Sequence, residues 1–276
     1  MTNQYRNGIK ILAIGNSFSC DALYYMPDML CQLGMDADKI TLVNTFIGGC
    51  DLYTHAQNAR NNNAAYIRQS FHRDGEVRSS DSLYTLKALI QEQPWDVITL
   101  QQASGSSGKA ETYNADLDYM IKWVKANALN PAFRFGWHMT WAYRENPPTV
   151  HPNFADYGFS QQVMYDRICG AVKSKILPCG TFDFIIPAGA AIQNARRYFG
   201  DTLNVEDGYH LANFGRYIAA AMWVKTIIGL DIAGLKVPYG AAADGPDVVI
   251  DREVLAKIVQ SANAAAGSPF IAVQAP

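Results

Sequence analysis

The chain has 276 residues, 49% hydrophobic and 12% aromatic, a composition that excludes a disordered chain and suits one large packed core. Charged residues are only 17% and nearly cancel to −2, so nothing favours a nucleic-acid partner bound by a basic face. No apolar run reaches the ~18 residues of a membrane span. The five cysteines, Cys20, Cys31, Cys50, Cys169 and Cys179, are too widely spaced for a zinc knuckle or a disulfide framework; only a Cys169–Cys179 pair stays open.

Ile11 to Ile14 is an apolar run between Lys10 and Gly15 and predicts a buried first strand. From Phe18 to Leu33, Leu23, Met26, Leu30 and Leu33 recur at helical spacing, with Gly34 as the stop; Pro27 either kinks this helix or starts another. The β-branched stretch Ile40 to Phe46 predicts strand two, after which Gly48 and Gly49 turn the chain. Asp51 to Gln69 is polar, with Leu52, Ala56 and Ala59 on one side, and fits a weak helix or an ordered loop. Ser82 to Gln91 carries Leu83, Leu86, Leu89 and Ile90 at helical spacing. Asp96 to Leu100 predicts strand three. Ala115 to Ala128 predicts a helix buried through Leu117, Met120, Ile121 and Val124, and Phe133 to Trp137 strand four. Trp141 to Ser160, with Pro147, Pro148 and Pro152, reads as a long loop. Phe159 to Leu177 is helical, Phe182 to Ile186 is strand five, Pro187 opens a helix running to Tyr198, and Leu211 to Leu230 is the last long helix. Ala241 to Pro246 reads as a loop, and Val248 to Val259 as a strand followed by a short helix.

Strands alternate with helical stretches five times, which predicts an α/β protein with a parallel sheet covered on both faces. No linker or internal repeat interrupts the pattern. One domain over residues 1–276 is expected, with a core at about 10–228 and a C-terminal extension at 229–276. Ligands of such sheets gather at the carboxyl ends of the strands.

Four strand ends carry candidate chemistry. Gly15-Asn16-Ser17 follows strand one and opens a helix, where a serine can be a nucleophile near favourable amides, or where Ser17 or Ser19 simply caps the helix. Gly48 and Gly49 let a backbone amide approach a ligand closely. Gln101 and Gln102 follow strand three, and a carboxamide there can donate to an oxyanion. Asp207-Gly208-Tyr209-His210 precedes the last helix. Three residues apart, the carboxylate can fix the tautomer of an imidazole that accepts a serine proton, or the pair is a helix-start turn in which Asp207 caps. The Gly-x-Ser-x-Gly elbow and the dinucleotide glycine fingerprint are both absent.

Ile11 to Ser19 and Asp207 to His210 together resemble the first and last blocks of the SGNH hydrolases, the GDSL-like lipases and esterases. The resemblance spans about residues 10–228. It implies a three-layer α/β/α sandwich with a mainly parallel, flavodoxin-like five-stranded sheet. It also implies Ser17 as nucleophile, His210 as base, Asp207 as its orienter, and oxyanion amides from Ser17 and from Gly49, with Gly48 as the fallback. The family's third block, Gly-x-Asn-Asp, is replaced here by Leu100-Gln101-Gln102-Ala103-Ser104-Gly105. Gln101 supplies the missing donor, or an ungapped count moves that position to Ser104 or Gly105. Gln101-Gln102, Gly48 to Leu52 and Thr140 to Tyr143 resemble a poorly characterised bacterial branch of the superfamily.

The resemblance implies hydrolysis of carboxylic esters, often acetyl groups on carbohydrates, with no cofactor or metal. Asn16, Gly48, Gln102, His55, His138, Trp141 and Tyr143 are the candidate substrate contacts, with His55 preferred among the histidines and Trp137, Trp141 and Tyr143 as an aromatic wall for a sugar face. Each of these histidines and aromatics is also readable as packing. A low-charge surface rich in Asn, Gln, Ser, Thr and Tyr suits a neutral glycan ester or another small-molecule ester. The rivals are a non-catalytic carbohydrate-binding protein on the same fold and a metal-dependent hydrolase using His55, His138 and aspartates. Residues 1–10 lack the apolar stretch of a secretory signal, so a secreted or periplasmic location would require a leader already removed.

Overall fold

The computed structural model describes residues 5, 8–236 and 250–272. Among these residues the centre is a seven-stranded sheet in the order β4-β3-β2-β1-β5-β6-β7. Its strands are β1 (Ile9–Gly15), β2 (Ile40–Phe46), β3 (Ala64–Phe71), β4 (Val77–Thr85), β5 (Val97–Leu100), β6 (Arg134–His138) and β7 (Phe184–Ile186). β2, β1, β5, β6 and β7 run parallel, in the flavodoxin-like order. The register puts Ile11 beside Leu42 and Val97, and Ile14 beside Leu100. Ile11, Leu12, Ala13 and Ile14 are fully buried, as a strand covered on both faces requires.

Two helical layers cover the sheet. One holds α1 (Ser17–Leu23), α2 (Met26–Gln32), α7 (Ala188–Phe199), α8 (Asn213–Ile228) and α9 (Arg252–Gly267), packed on one another in turn. The other holds α3 (Leu52–Asn61), α4 (Leu86–Ile90) and α5 (Ala115–Asn127), while α6 (Gln161–Ala171) follows the long loop after β6. Pro27 sits in the first turn of α2, so it begins a second helix rather than bending the first. The helix starts follow their caps: Asp51 accepts from Thr54 N, Asn114 from Asp116 N and Ser160 from Val163 N.

The sheet is wider than the five strands expected. β3 and β4 form an antiparallel hairpin that extends it beyond β2. The polar stretch Asp51 to Gln69 therefore divides into α3 and β3. The supposed helix from Ser82 contains the end of β4, and only α4 is helical there. Leu83, counted in a buried helical stripe, is 56% exposed on this edge strand. An outer strand needs no apolar face, so β4 (Val-Arg-Ser-Ser-Asp-Ser-Leu-Tyr-Thr) carries little hydrophobic pattern to read.

All five cysteines are free thiols, so Cys169 and Cys179 are not joined. Ala241 to Pro246 lies outside the described residues, as does the start of the Val248 to Val259 segment; the described part of that segment belongs largely to α9. Among the described residues no helix is long and apolar enough to cross a membrane.

Candidate active site

Because β1, β2, β5, β6 and β7 are parallel, their carboxyl ends share one edge, where Gly15, Ile47, Gln101 and Met139 leave the sheet. Asn16 organises the first of these exits. Its Oδ1 accepts from Phe18 N at 2.9 Å and so caps α1, a role the sequence left to Ser17 or Ser19. Ser17 is thereby the first residue of the helix, half-buried, with its hydroxyl released from capping. Gly15 is forced by crowding: a Cβ there would stand 2.2 Å from Ser19 Oγ and 3.0 Å from Gln101 Oε1.

Asn16 also ties the neighbouring exits together. Its Nδ2 donates to Cys50 O at 3.1 Å, which anchors the Gly48–Gly49 turn beside α1. Asn44 Nδ2 donates to Asn16 O and to Gln69 Oε1, so the hairpin strand β3 braces the same loop. The glycine turn closes through Cys50 N to Ile47 O, a bond that leaves the Gly49 N–H aside. Gly48 and Gly49 are exposed, and Gly49 takes a φ of +64°, the left-handed region glycine enters without strain.

The Asp207–His210 turn approaches from between α7 and α8. Asp207 Oδ2 lies 2.6 Å from His210 Nδ1, and Oδ1 accepts from Tyr209 N and His210 N, each at 2.9 Å. Partial burial works against charge on Asp207, but these bonds and the imidazole outweigh it and hold the carboxyl below the usual carboxylate range. An ionised carboxylate only accepts, so Nδ1 carries a proton and donates, which in the neutral tautomer leaves the lone pair on Nε2. Nε2 is buried and makes no hydrogen bond among the described residues, so it is not bonded to Ser17 Oγ in this resting geometry. Asp207 is not a helix cap: α8 begins only at Asn213 with Ala212 as its N-cap, and the two bonds to Asp207 Oδ1 close a local turn ahead of it.

Three fasteners hold this turn against α1. The His210 ring lies 6.1 Å from the ring of Phe18, the residue after Ser17. Asp21 is buried in α1, accepts from Leu211 N at 2.8 Å and pairs with Arg216 Nε at 2.9 Å. Burial raises the Asp21 pKa, and Arg216 and the Leu211 N–H oppose that rise. Trp141 is fully buried, stacks on Phe18 at 4.3 Å, and donates from Nε1 to Tyr209 O at 2.8 Å. Behind the turn, Arg196 donates to Ala142 O, Asn204 Oδ1 and Asp201 Oδ1, and burial lowers its pKa to about 10. The sequence reading missed Asp21, Arg196 and Asn204. Asp21 has one visible signal, a charge inside the mostly apolar stretch Phe18 to Met26, whereas Arg196 and Asn204 sit among other polar residues and have none.

Several expected substrate contacts prove to be internal. Gln101 is buried: Nε2 donates to Asn16 Oδ1 at 2.9 Å, and Oε1 accepts from Ser19 Oγ and His138 Nδ1. It orients Asn16 from beneath and does not present a free carboxamide. Gln102 Oε1 receives Leu52 N and Ala103 N, and its Nε2 reaches Thr112 Oγ1, so it bolts the start of α3 to the loop after β5. Ser104 instead pairs its hydroxyl with Tyr143 Oη at 2.9 Å. His55 is fully buried, stacks on Tyr66 and bonds its hydroxyl at 3.1 Å; burial depresses its pKa to about 4. His138 is buried between Trp141 and Trp223, and burial depresses its pKa to about 3. The aromatic wall is packing too. Trp137 contacts Tyr113 and Phe182, and Trp137, Trp141 and Tyr143 are each at most 1% exposed. Among the described residues no group of three or more His, Cys, Asp or Glu side chains converges as a metal site.

Comparison with known proteins places this arrangement in a family. Residues 10–260 match the family DUF4886, described as a domain of unknown function, and the chain belongs to it. A DUF4886 family protein from Bacteroides uniformis is 34% identical, with a TM-score of 0.85 over 96% of this chain and 97% of its own. A Slackia heliotrinireducens protein, proposed to be an SGNH hydrolase, is 21% identical, with a TM-score of 0.55 over 80% of this chain and 100% of its own. Axe2, an acetylxylan esterase from Geobacillus stearothermophilus, is 13% identical, with a TM-score of 0.53 over 82% of this chain and 98% of its own. No curated protein matches the chain. The fold is therefore that of the SGNH hydrolases.

Proposed function

We propose that the chain is a serine hydrolase of carboxylic esters, with Ser17, His210 and Asp207 as its catalytic residues and a short acyl group on a carbohydrate as its substrate. One observation supports this most: the Asp207–His210 pair at 2.6 Å, whose unpaired Nε2 lies in the turn fastened to the start of α1 beside a serine relieved of capping. In this reading Ser17 Oγ turns toward Nε2 when substrate binds. His210 Nε2 takes the hydroxyl proton as Oγ attacks the ester carbonyl carbon. The carbonyl oxygen becomes an oxyanion, held by the N–H groups of Ser17 and Gly49. Asp207 stabilises the imidazolium without taking its proton. The tetrahedral adduct expels the alcohol, which leaves with the proton from His210. Water then gives a proton to Nε2 and attacks the acyl-serine, releasing the acid and restoring Ser17.

Gln101 acts behind Asn16 in this scheme, which leaves two backbone amides as oxyanion donors. The carbohydrate part of the proposal draws on the acetylxylan esterase of the same fold and on the charge-poor composition. The test compares wild type with Ser17→Ala on p-nitrophenyl acetate and on acetylated xylo-oligosaccharide. Loss of turnover with an unchanged melting profile is expected. Turnover retained by the variant overturns the assignment of Ser17. Binding of glycan by a wild type that hydrolyses no acyl ester favours the non-catalytic reading.

A further inference from the structure

The loop from Met139 to Ser160 does more than join β6 to α6. It lies on the Asp207–His210 turn: Arg144 N donates to Gly208 O at 2.9 Å, and Pro147 sits so close that a Cβ on Gly208 would stand 2.3 Å from it. Further along, His151 sets its ring edge-on against Tyr209 at 5.0 Å and lies 5.1 Å from the ring of Tyr143. This second imidazole beside the pair has no part in the mechanism above. His151 Nδ1 accepts from Asn153 N at 3.2 Å, which assigns the proton of the neutral ring to Nε2. The ring is half-buried, so a ligand can reach it. Burial lowers its pKa, Asp207 opposes that, and His210 and Lys109 reinforce it. Near neutral pH the residue is therefore an uncharged N–H donor beside a carboxylate. With Asp207 on one side and Lys109 already paired to Asp156, the ring faces no free cation among the described residues that would favour an anionic leaving group, and it suits a neutral hydroxyl-rich one.

We propose that His151 is a specificity-determining residue of the leaving-group side, its Nε2–H donating to a hydroxyl or ring oxygen of a neutral carbohydrate alcohol. The proposal rests on the serine-esterase reading for its place in the reaction, and on the docked loop for its geometry. A single hydrogen bond of this kind is worth up to ~10-fold in affinity.

Two substrates separate the effects. His151→Ala should raise KM for acetylated xylo-oligosaccharide ~10-fold, with kcat and the p-nitrophenyl acetate constants within about twofold of wild type. His151→Asn keeps an acceptor for Asn153 N but lacks the imidazole Nε2–H, and should lose glycan-ester selectivity equally. Unchanged glycan-ester KM in His151→Ala overturns the proposal, as does recovery of wild-type selectivity in His151→Asn, which would reduce the residue to a cap. Calorimetric binding of the deacetylated oligosaccharide gives a readout independent of turnover. Should wild type hydrolyse neither ester, affinity lost in His151→Ala keeps the subsite while the esterase reading falls. Affinity equal in both proteins, or absent from both, overturns the subsite.

Discussion

Trp141 joins the start of α1, where Ser17 stands, to the Asp207–His210 turn, and replacing it with phenylalanine tests that role. An aromatic ring is kept against Phe18, but the Nε1–H that reaches Tyr209 O at 2.8 Å is removed. Leaving that carbonyl without its donor costs about 1–3 kcal/mol. The void beside the smaller ring adds about 24 cal/mol per Å³. In a chain of this size, each kcal/mol lowers Tm by about 2–4 °C, so a fall on the order of 5–10 °C is expected. The functional consequence is sharper, because Tyr209 precedes His210. A displacement of about 1 Å at a catalytic group costs roughly 100-fold. Stopped kinetics on p-nitrophenyl acetate should show kcat falling far more than KM rises. Trp137→Phe is the control, since Trp137 is equally buried but packs against Tyr113 and Phe182. It should lose stability and keep kcat. If Trp141→Phe lowers Tm but leaves kcat at the wild-type value, the tether does not position His210.

The other predictions follow the same chain of contacts. Asp207→Asn removes the group that fixes His210 Nδ1, so kcat should drop on the order of 10³–10⁴-fold with KM little changed. Because the folded Asp207 pKa is lowered from 3.8, its stabilisation is present at neutral pH and lost as pH falls through that lowered value; urea titrations should show the variant lacking this acid limb, and an identical limb contradicts the assignment. Asp21→Ala breaks a buried pair with Arg216 and strands the Leu211 N–H, a loss of about 3–5 kcal/mol in denaturant unfolding. Gly49→Ala has room for the methyl but must hold a φ of +64°, so stability should fall by about 1–2 kcal/mol and turnover with it. His55 and His138 are held neutral, with pKa values lowered from 6.5 to about 4 and about 3. The unfolded chain binds their protons first, so stability should fall as pH drops from about 6.5 toward 4, and His55→Asn with His138→Asn should flatten that slope.

The parallel core was readable because strands buried on both faces are dominated by apolar residues, as in Ile11 to Ile14 and, apart from Thr99, in Val97 to Leu100. β3 and β4 were not, because an edge hairpin with one wet face imposes no such pattern; Leu83 imitates a helical stripe while standing in solvent. The place of Ser17 at the start of α1 and the pairing of Asp207 with His210 were legible from residue type and local spacing. The functions of Gln101, Gln102, His55 and His138 were not. Whether a polar side chain at a strand end meets a ligand or a neighbour depends on contacts distant in sequence, such as Gln101 to Asn16 and Gln102 to Leu52 N. Trp141 was legible as an aromatic near the site, but its direction, inward onto Phe18, exists only once α1 is packed against the loop.

The central claim is that Ser17 is a nucleophile activated by His210. Labelling with a fluorophosphonate ester followed by peptide mass spectrometry tests it without any assumption about the natural substrate. The expected result is one covalent adduct on the peptide containing Ser17, greatly slowed in His210→Ala and absent in Ser17→Ala. A folded wild-type protein that hydrolyses acetyl esters yet carries no adduct at Ser17, or is labelled equally fast without His210, would contradict the claim.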